Sequence, residues 1–141
     1  MTPDQKVLVQ ATFAKVAPIA DTAAALFYAK LFELDPSLRS MFKGDMREQG
    51  RKLMQMLATA VRGLDDLDSL VPIVRGLGRR HAGYGVQDAH YETVGEALMW
   101  TLGIGLHELF TDEVRDAWAA AYWMLADTMK AGAAELLVSS A

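Results

Sequence analysis

LGRRHAGYGV, Leu77–Val86, is the stretch from which the rest of the chain is read. Leu70, Val74, Leu77 and His81 recur at helical spacing, so one face of this segment is apolar and ends in an imidazole. Gly83 and Gly85 then stop the helix and turn the chain. A neutral imidazole nitrogen at the rim of an apolar surface is what a porphyrin-held iron needs from a protein, because nitrogen suits iron and the porphyrin faces need hydrocarbon walls. A lone histidine near a helix end also serves as a helix-terminus or core residue, and these ten residues leave both readings open.

The composition bounds what surrounds that stretch. A chain of 141 residues predicts one domain, 1–141, around a single core. Hydrophobic residues make up 52% and charged residues 23%, which predicts an ordered soluble globule, and no apolar run is long enough to span a bilayer. No basic-then-apolar segment opens the chain, so a cytoplasmic location is the expectation. The absence of cysteine excludes disulfides, cysteine-held iron–sulfur clusters and covalent haem attachment. A net charge of -4 argues against nucleic acid and anionic membranes as partners.

Taken in order, the chain reads as helices separated by proline, glycine and aspartate. Thr2-Pro3-Asp4-Gln5 is a capping box with a first-turn proline, and Leu8, Val9, Phe13 and Val16 form the inward face of the helix it opens. Pro18 ends or kinks that helix. A second helix covers Asp21 to Leu34, and Asp35-Pro36 starts a short helical turn ending near Phe42. Asp45 and Glu48 repeat the capping-box spacing ahead of a stripe of Met46, Gln49, Leu53, Leu57 and Val61, in which Gln49 is the polar exception. The acidic loop Asp65 to Ser69 caps the helix that leads to His81, with Pro72 early enough to be tolerated. Asp88 opens a long helix through about Leu109, with Tyr91, Val94, Leu98 and Leu102 inward. Thr111, Asp112 and Glu113 cap the last helix, where Val114, Trp118, Tyr122, Leu125 and Met129 face inward, and Val138 to Ala141 are expected to fray. No strand alternation or internal repeat is visible, so the fold class is all-α. Packing around a prosthetic group suits these unequal helices, and an empty bundle is the alternative, needing nothing special at Phe42, Gln49 or His81.

LGRRH, the glycine turn after it and HYETVGEALM together resemble the proximal stretch of the globin family. The likeness is to bacterial single-domain globins, the globin half of flavohaemoglobins and neuroglobin, and it runs from the first helix to about Met129. It implies a globin fold around a non-covalently held haem b, protoporphyrin IX iron, with His81 as the proximal ligand to the metal. By register it places Phe42 stacked on the haem, Leu53 over the iron, and Gln49 and Tyr28 at the distal positions. Leu77, Val86, Tyr91 and Val94 are the remaining haem-facing positions. Without the family, Phe42 is an ordinary core aromatic, Gln49 an exposed helix residue, and Tyr28 a core aromatic with its hydroxyl at the surface. Lys52 matches a position that often contacts a propionate, and Arg51, Arg79 and Arg80 are further cations near the rim, where exposed pairs are weak. His90 and His107 match no ligand position. Tyr91 matches a tyrosine that, with a glutamate, hydrogen-bonds the proximal histidine in flavohaemoglobins. The glutamate's place falls on Ala133, and Glu135 lies out of register, so the expected partner of His81 is the Leu77 carbonyl one turn back.

A tyrosine and a glutamine at the distal positions have a physical rationale. Oxygen held at a ferrous haem takes on negative charge in a low-dielectric pocket, and each donor aimed at it is worth about 1–3 kcal/mol where the acceptor would otherwise be unsatisfied. The resemblance therefore implies tight, slowly released oxygen, for storage, delivery or scavenging, with nitric oxide and carbon monoxide as further gas ligands. The alternative it implies is nitric oxide dioxygenation to nitrate, with a separate reductase restoring the ferrous state.

Overall fold

Helix α1, Pro3–Val16, starts where the capping box requires. The Thr2 hydroxyl accepts from the Gln5 N–H at 3.1 Å, and the Gln5 side chain accepts from the Thr2 N–H at 2.9 Å. These positions come from a computed structural model that describes the backbone of residues 1–140 and the side chains of residues 1–135. The fraying expected at Val138 to Ala141 lies outside the fully described residues.

Pro18 acts as its missing N–H dictates: Ala17–Ile19 tighten into a 3-10 turn before α2, Ala20–Leu34. The Asp35-Pro36 segment forms a second 3-10 turn, Pro36–Met41, in which Asp35 accepts from the Ser37 N–H at 3.1 Å. Asp45 caps α3, Met46–Gly63, by accepting from the Arg47 N–H at 2.9 Å. The box expected there is not completed, and Glu48 pairs with Arg51 at 2.9 Å instead. Asp66 and Ser69 cap α4, Leu67–Gly83, which carries Pro72 in its second turn. Helix α5 spans Asp88–Leu106 and stops short of the expected Leu109. His107 takes φ 51°, a left-handed value that no α-helix continues through, and His107–Leu109 become a 3-10 turn. Helix α6, Asp112–Ser140, opens with the Thr111 hydroxyl accepting from the Val114 N–H at 3.2 Å.

The described residues contain helices and turns and no strand. The apolar stripes bury as their spacing implies: α1 lies on α6, α2 packs on α3 and α5, and α4 runs along α6 while touching α3 only lightly. Val9, Phe27, Leu31, Ala97, Leu102 and Trp118 are in the core. A buried polar relay, invisible in the apolar pattern, crosses it: the Trp118 indole N–H donates to the Thr12 hydroxyl at 2.9 Å, which donates to the Leu8 carbonyl at 2.6 Å. With every group paired, the relay avoids the cost of an unmet buried donor.

Glycine sets how closely several of the helices cross, most tightly between α4 and α6. A Cβ on Gly78 would lie 2.0 Å from the Met129 carbonyl oxygen, and one on Gly132 would lie 2.1 Å from the Arg75 carbonyl oxygen, so α4 and α6 meet backbone to backbone. Between α2 and α3 the approach is looser, with a Cβ on Gly50 placed 3.0 Å from that of Ala24. No helix among the described residues is long and apolar enough to cross a membrane.

Candidate functional site

On α4 the helical repeat carries Leu70 and Val74 into the core and leaves Leu77 and His81, one and two turns on, half-buried. His81 Nδ1 lies 2.8 Å from the Leu77 carbonyl oxygen, as the sequence suggested. A carbonyl can only accept, so Nδ1 carries the proton and Nε2 keeps its lone pair. Nε2 has no hydrogen-bond partner among the described residues. Burial pushes the imidazole pKa down, the Leu77 bond opposes this, and the Arg80 charge adds to the lowering, so the ring is neutral near pH 7. The turn after α4 folds back on this residue: the Val86 N–H donates to the His81 carbonyl at 3.1 Å, and Gly85 supplies φ 92°. Tyr84, two-thirds exposed, sets its ring 6.0 Å from the imidazole.

A second group forms on α2 and α3. Tyr28 is buried, with its hydroxyl in reach of the Gln49 side chain; burial raises the phenol pKa and the nearby Gln49 amide partly offsets this. Tyr28 is therefore a proton donor at any physiological pH. Phe42 meets the Tyr28 ring edge-on at 5.3 Å and the Phe32 ring at 5.5 Å, while Phe32 stacks on Tyr28 at 6.0 Å. The Arg39 guanidinium fixes the approach by donating to the Phe42 carbonyl at 3.2 Å. Phe32 lies four residues beyond Tyr28, on the same helical face, which is the signal that places it here. Leu53 and Val94 are half-buried against the core. Two small apolar cavities, about 30 and 20 Å³, lie beside Leu57, Leu98 and Trp118, and the smaller reaches Leu53.

Among the described residues no hydrogen bond or ring contact joins the Tyr28 group to the His81 group. Tyr91 is joined to neither group by a hydrogen bond or ring contact among the described residues: it is buried, its carbonyl accepts from the Tyr122 hydroxyl, and its ring lies 5.5 Å from the Lys130 ammonium. Of the rim cations, Arg51 is held by Glu48 and Arg79 by Glu135 at 2.9 Å each. Lys52 is exposed and has no ion-pair partner among the described residues. His90 is occupied as well, its Nδ1 accepting from the Gln87 N–H at 2.9 Å at the start of α5.

These residues fit the group that the sequence resemblance implies. No set of three or more His, Asp or Glu gathers among the described residues to hold a metal by side chains alone. His81 offers one unpartnered neutral nitrogen, and the half-buried Phe42, Leu53, Leu77, Val86 and Val94 offer hydrocarbon.

Comparison with known proteins agrees with the fold. The family profile described as Globin matches residues 25–129. A flavohemoprotein of Bordetella parapertussis is 34% identical over 133 residues, which is 92% of this chain and 33% of that protein. The chain thus spans about a third of the length of the flavohemoproteins it resembles. A neuroglobin of Tetraodon nigroviridis is 31% identical over 121 residues, 76% of each chain. Among solved structures, an engineered carbene transferase derived from a proposed nitric oxide dioxygenase of Rhodothermus marinus superposes with TM-score 0.89 at 27% identity, covering 99% of this chain and 97% of that one. With a family match over most of its length, relatives of this similarity and an all-helical architecture shared with solved globins, the chain belongs to the globin family.

Proposed function

We propose that this chain is a haem globin that binds oxygen reversibly, with His81 as the proximal ligand and Tyr28 and Gln49 as the groups that retain the gas. The observation that carries this reading is the buried Tyr28 hydroxyl in reach of the Gln49 side chain, a donor pair inside an aromatic cluster. Haem b, when bound, supplies an iron with a coordination position open to a diatomic gas. His81 presents Nε2, and the Leu77 carbonyl holds the ring's tautomer and orientation. Phe42, Leu53, Leu77, Val86 and Val94 would offer hydrocarbon to the porphyrin faces and exclude water from them, and the resemblance places Tyr91 among these haem-facing positions. Lys52, with no carboxylate partner among the described residues, is a cation available to a propionate. Tyr28 and Gln49 donate hydrogen bonds to a gas that gathers negative charge, and with water excluded those bonds strengthen.

Absorption spectra of the purified protein in ferric, ferrous and carbon monoxide forms test this directly. His81→Ala is expected to lose the Soret band or bind haem only loosely; an intact band removes His81 from the role of ligand.

The likeness to flavohemoproteins and to the Rhodothermus protein favours a second reading, nitric oxide dioxygenation. One nitric oxide, one dioxygen and one electron give nitrate, and a separate reductase supplies the electron. Adding nitric oxide to the protein under oxygen and measuring nitrate through many turnovers with a cellular reductase tests it. Nitrate formation limited to one equivalent leaves oxygen binding as the role.

A further inference from the structure

We propose that Glu135, together with Gly78 and Gly132, positions His81 by locking α4 to α6. This rests on the reading of His81 as the haem ligand. Glu135 does its work through arginines on α4: its carboxylate lies 2.9 Å from Arg79, two residues before His81, and 3.6 Å from Arg75, one turn earlier. Between and below those ion pairs the helices touch without side chains. Gly132, one turn before Glu135 on α6, lies against the Arg75 carbonyl, and Gly78, one turn before His81 on α4, lies against the Met129 carbonyl. The two contacts are reciprocal, each helix offering a glycine to the other's backbone. An interface of that kind has one register, because sliding either helix by a residue drives a Cβ into a carbonyl oxygen.

The geometry gives the two devices separate tasks. The glycines fix how closely α4 approaches α6, and the Glu135 fork resists rotation of α4 about its axis, the motion that swings the imidazole. An exposed ion pair contributes little to global stability, so the fork's effect is local. Glu135 is a positioning residue, acting on the imidazole through Arg79 and Arg75, where the flavohaemoglobin pattern places a glutamate directly on the histidine.

The test uses the haem-loaded protein and the Glu135→Gln variant, which keeps the side chain's size and removes its charge. Expected are a retained Soret band, an unchanged thermal midpoint, a shifted or broadened iron–histidine stretching band in the ferrous Raman spectrum, and amide exchange over residues 77–83 faster by about 2–5-fold. Exchange in α1 serves as the internal control. Gly132→Ala is expected to move the same band further, and Glu135→Gln keeps the test decisive should that variant fail to fold. An unchanged band and unchanged exchange in Glu135→Gln, with the Soret band still lost in His81→Ala, overturn the positioning role and leave the haem reading standing. A Soret band that survives His81→Ala overturns both.

Discussion

The two sides of the candidate site are built by opposite means. On the His81 side, α4 and α6 meet through glycines at backbone contact, with the Arg79–Glu135 pair at 2.9 Å closing the seam. On the Tyr28 side, α2 and α3 meet through a single glycine against the Ala24 methyl, and the neighbouring space is filled by the rings of Phe27, Phe32 and Phe42. Backbone cannot yield without moving a helix, whereas rings and methyls adjust by small rotations. The side that would hold the prosthetic group is thus the stiffer one. The side that would meet the small ligand has a softer wall and two placed donors.

Substitutions should break that contrast in graded fashion. Gly78→Val should have the largest effect: its Cβ meets the Met129 carbonyl oxygen, and the separation of α4 from α6 should cost about 3 kcal/mol or more, read as a fall in thermal midpoint of about 10 °C. Tyr28→Phe should leave the fold alone and remove one donor to the gas, so stopped-flow oxygen dissociation should quicken by about 5–10-fold. An unchanged rate removes the tyrosine from ligand retention. Gly50→Ala sharpens the comparison further. The new methyl needs only a few tenths of an ångström from Ala24, and the helix gains about 1 kcal/mol in propensity, so denaturant titration should find stability within about 1 kcal/mol of the parent. The smallest effect belongs to neither side. Bonds from Lys6 and Gln10 hold the Asp65 carboxyl below the usual carboxylate range, so what it contributes is present above about pH 4 and fades as pH falls through the lowered value. Asp65→Asn should flatten the acid limb of the stability profile slightly and leave the Soret spectrum unchanged.

Element starts were legible because their causes are local. Thr2 with Gln5, Asp35 before Pro36, Asp66 with Ser69 and Thr111 before Val114 each act within four residues, the range over which a side chain reaches an orphan N–H. Two local signals misled. Glu48 had the spacing of a capping box but a stronger partner in Arg51, and α5 ended at His107, where φ turns positive with no glycine to announce it. At the site, His81 followed from the helical repeat, and its bond to Leu77, one turn back, was the expectation once the resemblance put Ala133 where a glutamate would reach it. That Arg79 was occupied did not, since its partner is 56 residues away.

What the sequence by itself determined was the all-helical class, the helix origins, the lone histidine at the end of an apolar face and the absence of cysteine chemistry. Periodicity, capping and composition depend on neighbours within a few turns, so they are written along the chain. Tertiary structure alone decided which glycines are seams, that Phe42 meets Tyr28 edge-on, that Gln49 comes within reach of its hydroxyl, and that Glu135 grips α4. Those are meetings between helices, and a helix's own pattern states which face is apolar without stating what lies across from it.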